Sequence, residues 1–159
     1  ILGLENNVIK EINVKTAEGE LTTTIGGRID RMDCVTCADG KRRIRVIDYK
    51  TGKKTNKNEG YILQSFIYSL LVDESPTLNP DRLEVSPALL YIQNSAGEDF
   101  DPTVEYEKEK VTDVSKHRQA FTDKVHSMIS EIFDPAVPFA CTDDDTACTH
   151  CPYCNLCGV

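Results

Sequence analysis

The chain has 159 residues, of which 40 % are hydrophobic and 28 % are charged, and its formal net charge is −8. This length suits one globular domain with a buried core. No apolar run reaches the roughly 18 residues of a membrane-spanning helix. The acidic charge argues against a free-standing DNA-binding module, since phosphate affinity comes mainly from Lys and Arg.

Residue patterns predict six main elements. Alternating apolar residues predict three strands that form an antiparallel meander, at 7–15, 20–33 and 42–50. A helix whose apolar residues cover most of its circumference, and which should therefore be buried, follows at 61–73. A buried strand, an acidic irregular stretch and a long amphipathic helix come next, at 85–93, 94–109 and 113–133. The order β-β-β-α-β-α predicts an α/β (α+β) fold in which helices flank a mixed central sheet.

The two ends of the chain suggest how it is organised. It begins Ile1-Leu2-Gly3, without Met and without the regions of a signal peptide, so we expect a segment of a longer protein. We also expect two parts, a core at 1–139 and a Cys-rich tail at 140–159. The seven cysteines are odd in number and mostly two residues apart. That pattern favours metal coordination in a reducing, cytoplasmic compartment over a disulfide framework.

Two aspartates and a lysine lie at the ends of neighbouring predicted strands. Asp30 ends the second strand, and Asp48 and Lys50 end the third. Because side chains alternate along a strand, Asp48 and Lys50 should project from one face, and hairpin pairing can bring Asp30 beside them. Two carboxylates suit a hard cation such as Mg²⁺, and a nearby lysine can stabilise developing charge. The alternative is a pair of exposed strand-end aspartates, one of them paired with Lys50.

Three motifs in order carry a family resemblance. They are Gly-Arg-Ile-Asp-Arg-Met-Asp, Val-Ile-Asp-Tyr-Lys-Thr-Gly and, on the next helix, Gln64-x-x-x-Tyr68. Together they resemble the RecB/AddB-type nuclease branch of the PD-(D/E)XK superfamily, over about residues 5–157. The resemblance implies a restriction-endonuclease-like fold.

The resemblance also implies a role for each matching residue. Asp30, Asp48 and the backbone carbonyl of Tyr49 would bind Mg²⁺ (or Mn²⁺), and Lys50 would be the catalytic lysine. Gln64 and Tyr68, which are one helical turn apart, would brace the site and contact DNA. Without the other motifs, these two would be interpreted as a polar residue on a buried helix and a packing residue.

The resemblance implies a metal-dependent DNA exonuclease domain of a helicase–nuclease in recombinational DNA repair. Its partners would be DNA and a helicase domain or subunit, with no membrane contact. The alternative is a catalytically inactive fold that binds DNA or docks a helicase, and a third interpretation is a structural domain stapled by metal at its cysteines. Retention of the whole aspartate–lysine set argues against loss of activity.

One family feature does not occur in this sequence. Members of the branch carry a histidine on a helix upstream of the first strand, and His117, His126 and His150 lie too far downstream to replace it. Glu5 resembles the acidic residue common near that strand. We therefore expect weak activity, or none, from this chain by itself.

The tail contains four cysteines at regular spacing: Cys148, Cys151, Cys154 and Cys157. Four thiolates can hold Zn²⁺ or an iron–sulfur cluster, and the alternative is unligated cysteines on a flexible tail. The resemblance implies a [4Fe–4S] cluster, because Cys148, Cys151 and Cys157 match the family spacing. In the family the fourth ligand is far upstream, so here Cys154 or Cys141 would take its place.

Two further groups have both a functional and an ordinary interpretation. Cys34 and Cys37 could form a zinc knuckle with two tail cysteines, or belong to a solvent-exposed turn. The lysines after Lys50 could follow a DNA backbone, or lie on a solvated loop, at positions 53, 54 and 57.

Overall fold

The computed structural model describes residues 1–37, 39–52, 59–95, 100–138, 140, 142, 145–149 and 151–157. Its centre is a four-stranded sheet in the order β1-β2-β3-β4. The strands are β1 (Gly3–Thr16), β2 (Gly19–Thr36), β3 (Arg42–Lys50) and β4 (Glu84–Tyr91). Neighbours β1/β2 and β2/β3 are antiparallel, whereas β3/β4 are parallel. The sheet is therefore mixed, as the sequence predicts.

Helices complete the predicted order. Helix α1 (Glu59–Glu74) connects the parallel strands β3 and β4, which a tight hairpin cannot join. Helix α2 (Arg118–Ile132) packs beside α1 and β1, and the tail contains two single helical turns, α3 (Asp145–Cys148) and α4 (Cys154–Cys157). The mixed α/β architecture, with the order β-β-β-α-β-α for its main elements, is confirmed.

The hydrophobic core lies between the sheet and these two helices. Phe66 of α1 is fully buried and stacks on Phe121 of α2, with 3.8 Å between the ring centroids. Tyr106 and His117 meet the Phe66 ring edge-on. Truncating a buried phenylalanine to alanine typically costs about 3–5 kcal/mol, so this cluster is a main attachment of α2 to the rest of the fold.

Several predicted boundaries differ from the structure. The fourth strand ends at Tyr91 instead of residue 93, since Ile92–Asn94 form a 3₁₀ turn. The last long helix begins with another 3₁₀ turn, Val114–His117, in which the backbone N–H of Ser115 donates to the Asp113 carboxylate. Caps and 3₁₀ ends displace helix limits without changing the hydrophobic pattern.

The acidic stretch predicted as irregular contains a small hairpin. Strands β5 (Glu105–Tyr106) and β6 (Glu109–Lys110) pair antiparallel. Both turn residues, Glu107 and Lys108, have positive φ values of 52° and 69°. Two-residue turns of this kind usually carry Asn-Gly or Asp-Gly, so Glu-Lys gives no recognisable turn signal.

In the part of the chain that the structure describes, no helix is both long and apolar enough to cross a membrane.

Candidate active site

Two aspartates meet where β2 and β3 run side by side. The antiparallel register pairs Arg31 with Ile47, and one further step along it sets Asp30 opposite Asp48. Asp30 Oδ2 accepts a 2.8 Å hydrogen bond from the backbone N–H of Tyr49. The sheet register therefore brings the two carboxylates together.

Strand β2 departs from regular alternation at this point. Ile29 and Met32 are both buried although they are three residues apart, whereas regular alternation would bury residues two or four apart. The side of the strand that is buried therefore changes near Asp30. The ladder pairs on either side place Glu5 of β1 opposite Asp30, and Glu5 has a φ of 54°, in the left-handed region. Consecutive residues of β2 thus serve different purposes, Ile29 in the core and Asp30 in the site.

Asp48 is the buried member of the pair, with 9 % of its surface exposed. Burial raises the pKa of its carboxyl above the ordinary value, the Lys50 ammonium opposes that rise, and the charge of Asp30 adds to it. A carboxylate that is poorly hydrated and close to a second negative charge is stabilised by a cation. The electrostatics of the pair therefore favour binding of a divalent ion.

Lys50 is held beside this pair by three contacts. Its Nζ lies 2.6 Å from Asp48 Oδ2 and donates a 3.3 Å hydrogen bond to Gln64 Oε1. The same atom lies 4.0 Å from the centroid of the Tyr61 ring. The ion pair confirms that Asp48 and Lys50 project from one face of β3.

Gln64 and Tyr68 continue the same hydrogen-bonded chain along α1. Gln64 Nε2 lies 3.3 Å from the Tyr68 hydroxyl, as expected for residues one helical turn apart. Gly27 of β2 makes room for that hydroxyl, because a Cβ there would lie only 2.3 Å from it. The structure thus brings together all five predicted side chains, which are Asp30, Asp48, Lys50, Gln64 and Tyr68.

The oxygen atoms of this site fit Mg²⁺ or Mn²⁺. Among the described residues, no three or more His, Cys, Asp or Glu side chains are placed to hold one metal ion. The acidic pair would therefore bind with two carboxylates, and the Tyr49 carbonyl is adjacent to Asp48 in the chain. Mg²⁺ commonly binds through one or two carboxylates and keeps several waters, so this donor set is sufficient.

Two tyrosines of the site were not predicted from the sequence. Tyr61 of α1 contacts Lys50 with its ring. Tyr91 ends β4 directly beside Lys50 in the parallel register. Burial raises the pKa of Tyr91, and the nearby Tyr61 and Asp48 raise it further. The sequence signal that could have identified Tyr91 is its position as the last residue of the apolar strand β4, which is the next strand after the one that carries Asp48 and Lys50.

Glu5 and the histidines have other neighbours. The Glu5 carboxylate lies 2.8 Å from the Arg28 guanidinium on an exposed surface. His117 packs edge-on against Phe66, and His126 lines a groove between β1 and the two long helices. The other predicted residues of interest lie outside the described residues, and they are Lys53, Lys54, Lys57, Cys141 and His150.

The tail cysteines are described only in part. Cys148, Cys151 and Cys154 are half-buried free thiols, and the Cys157 side chain lies outside the described residues. The backbone N–H of Tyr153 donates to Cys151 Sγ over 3.4 Å. Ligation of iron–sulfur or zinc by these residues stays a prediction.

Cys34 lies in strand β2 and Cys37 directly follows it. Strand β2 stays extended through Thr36, which separates the Cα atoms of the two cysteines by about 10 Å at the usual rise per residue. Arg42 lies close to Cys34, and Arg43 lies close to Cys37. Guanidinium groups repel a cation, so this conformation does not favour a zinc knuckle, and zinc ligation by these two cysteines stays a prediction.

Comparison with known proteins gives one match. The family model described as the PD-(D/E)XK nuclease superfamily matches residues 3–158. No curated protein and no solved structure matches the chain.

Proposed function

The chain belongs to the PD-(D/E)XK nuclease superfamily, and on that premise we propose that it cleaves DNA by metal-dependent hydrolysis of phosphodiester bonds. One observation carries the proposal: the Asp48–Lys50 ion pair lies directly across the strand ladder from Asp30. Two carboxylates and an ammonium group on one face provide a cation site and a positive charge for a phosphate.

Each residue has a separate task in the proposed reaction. Asp30, Asp48 and the Tyr49 carbonyl hold Mg²⁺ or Mn²⁺, which when bound polarises a phosphate oxygen and lowers the pKa of a water. The Lys50 ammonium orients the attacking water and offsets the charge that builds on the phosphate. Since the reaction is hydrolysis, the water oxygen bonds to phosphorus and loses a proton to solvent, the P–O bond to the leaving group breaks, and the leaving oxygen takes up a proton from solvent.

Helix α1 supports the lysine in this scheme. Gln64 accepts from Lys50 Nζ, and its own amide contacts the Tyr68 hydroxyl. With a cation bound to Asp48, Lys50 would lose part of its ion pair but would keep Gln64 as a partner. Gln64 and Tyr68 therefore position the ammonium for DNA and, as the motif resemblance implies, contact the DNA themselves.

The same resemblance supports narrower proposals. We propose an exonuclease domain that acts with a helicase domain or subunit in recombinational repair, in the cytoplasm. We also propose that the tail holds a [4Fe–4S] cluster, or alternatively Zn²⁺, through Cys148, Cys151, Cys154 and Cys157. The spacing of these four cysteines supports the second proposal.

A cleavage assay with a matched lysine control tests the main proposal. Wild type, Lys50→Ala and Lys124→Ala are incubated with single- and double-stranded DNA in Mg²⁺, in Mn²⁺ and in a chelator. Lys124 is an exposed residue of α2 and serves as the control for loss of one positive charge. We expect cleavage that needs the metal and disappears only with Lys50→Ala, and that is weak or absent in this chain by itself and stronger in a chain extended upstream.

Two results would contradict the proposal. Equal activity of wild type and Lys50→Ala would remove the catalytic assignment. Metal-independent DNA binding without any cleavage, in this chain and in a chain extended upstream, would favour the inactive DNA-binding or helicase-docking alternative.

A further inference from the structure

Tyr91 is buried in the site without an evident structural task. Only 2 % of its surface is exposed, and its hydroxyl has no hydrogen-bond partner within the described parts of the chain. A buried hydroxyl left unpaired costs about 1–3 kcal/mol, and phenylalanine would fill the same volume without that cost. The hydroxyl therefore points to a function.

The position of Tyr91 places that hydroxyl beside the acidic pair. Tyr91 is the register partner of Lys50 on the parallel neighbour strand, so both side chains project from the face that carries Asp48. Tyr91 also interacts electrostatically with Asp48 and with Tyr61 of α1. The phenol is thus enclosed by the strand below and the helix above.

A complementary atom lies on the same face. Asp48 Oδ2 is also buried, and the Lys50 ammonium lies 2.6 Å from it. A phenol donates, and a carboxylate oxygen can accept more than one hydrogen bond. The buried Tyr91 hydroxyl and the Asp48 carboxylate are therefore a complementary donor and acceptor on the same face of the sheet.

We infer that Tyr91 is a positioning residue, whose hydroxyl is unpaired in the cation-free protein and donates toward Asp48 when a cation is bound, which fixes that carboxylate as a ligand. This inference rests on the proposed function. Carboxylates that bind metals are commonly oriented by hydrogen bonds from residues behind them, and loss of such a partner weakens metal binding about 10- to 100-fold. Direct donation and donation across one water have the same orienting effect.

Cation affinity and cation-free stability together test this role. Mn²⁺ binding is titrated by electron paramagnetic resonance, and thermal unfolding is measured without cation, for the full chain. The proteins are wild type, Tyr91→Phe, Asp48→Asn and Tyr106→Phe. Tyr106 is a suitable control because its ring packs on Phe66 and Phe121.

Tyr91→Phe is expected to weaken Mn²⁺ binding without lowering the stability of the cation-free protein. Mn²⁺ binding weakens about tenfold, while the cation-free melting temperature stays the same or rises, since no unpaired hydroxyl remains. Tyr106→Phe leaves Mn²⁺ binding unchanged. A purely structural tyrosine would instead lower the melting temperature when its hydroxyl is removed.

The outcomes separate this inference from the proposed function. Unchanged Mn²⁺ affinity in Tyr91→Phe, or a lower cation-free melting temperature, overturns the positioning role while Asp48-dependent binding in wild type still supports the nuclease. If wild type binds Mn²⁺ no better than Asp48→Asn, the cation site itself is wrong and the proposed function fails.

Discussion

The acidic site and the cysteine tail both consist of regularly spaced sequence motifs, but their residues differ in how they are positioned in the structure. Around Asp48, strand register and helix α1 fix each neighbour, and the contacts run continuously from Asp48 through Lys50 and Gln64 to Tyr68. In the tail, the contacts include local ones such as Tyr153 N–H to Cys151 Sγ.

This difference indicates what each motif needs in order to adopt its functional arrangement. The acidic site is assembled by the fold before any ligand binds, because its residues are positioned by main-chain pairing. Short thiolate motifs often gain their order from the metal that they bind. The tail is therefore expected to depend on its metal, and the acidic site to depend only on the sheet.

The largest effect should follow from Asp48→Asn. Removing this charge removes one of the two carboxylates of the cation site, so metal-dependent DNA cleavage should fall at least 100-fold, as for loss of a major electrostatic group. Initial cleavage rates in Mg²⁺ measure this, with Asp81→Asn, an exposed aspartate, as the control. A loss below about threefold would show that Asp48 is not a metal ligand.

The next effect concerns the support of Lys50 by helix α1. Gly27→Ala would force the Tyr68 hydroxyl away from β2, because the added Cβ would meet it at 2.3 Å. We expect about 1–3 kcal/mol of lost stability from overpacking and a reduced cleavage rate. Urea unfolding and cleavage rates measure both quantities.

Gly60→Ala is the matched control for that variant. Among the described residues, a Cβ at Gly60 meets nothing within 4 Å, and replacing a helical glycine by alanine usually stabilises a protein. If both variants behave alike, the close contact between Gly27 and Tyr68 does not matter for the site.

A smaller effect on the acidic site is expected from changes in the tail. The double variant Cys148→Ser/Cys151→Ser should lose tail-bound iron or zinc, as measured by elemental analysis and visible spectra of anaerobically purified protein. Its Mn²⁺ affinity at the acidic pair should stay within about twofold of wild type, since distant, unconnected sites usually act independently. Loss of Mn²⁺ binding would show that the two regions are coupled.

The smallest effect is a pH dependence of stability. Because the folded-state pKa of Asp48 is raised, the cation-free protein binds this proton more tightly when folded. Stability is then greatest below the unfolded pKa of 3.8 and is lost as pH rises through the folded pKa.

The Asp48→Asn variant makes this pH dependence measurable. It should be more stable than wild type near neutral pH by roughly 0.5–2 kcal/mol, the usual gain from relieving a functional site. The difference should shrink toward pH 4, and Mg²⁺ should stabilise only wild type. Denaturant unfolding at several pH values measures this, and a constant difference would contradict the raised pKa.

The sequence predicted much of this fold because its signals are local. Alternation located the first three strands, and the apolar surface of α1 indicated its burial. The side-by-side placement of Asp48 and Lys50 followed from strand periodicity alone. Their joint placement with Asp30 needed only hairpin pairing, which joins consecutive strands.

Other features could not be predicted because they depend on tertiary context. The β5–β6 turn uses Glu107 and Lys108 in left-handed conformations that their residue types do not signal. The partnership of Tyr91 with Lys50 depends on the parallel pairing of β4 with β3. For Cys34 and Cys37, spacing alone suggested a knuckle, whereas β2 continues past the first of them.

The route of the chain from β2 through β3 and α1 to β4 has a consequence for folding. All the side chains of the acidic site occur between Gly27 and Tyr91, on one hairpin and one strand–helix–strand unit. The β2–β3 hairpin needs only a short loop closure, whereas the parallel pairing of β3 with β4 needs a longer one through α1. The backbone amides of this segment should therefore exchange hydrogen with solvent as one cooperative unit, so that the nuclease centre forms and opens as a whole.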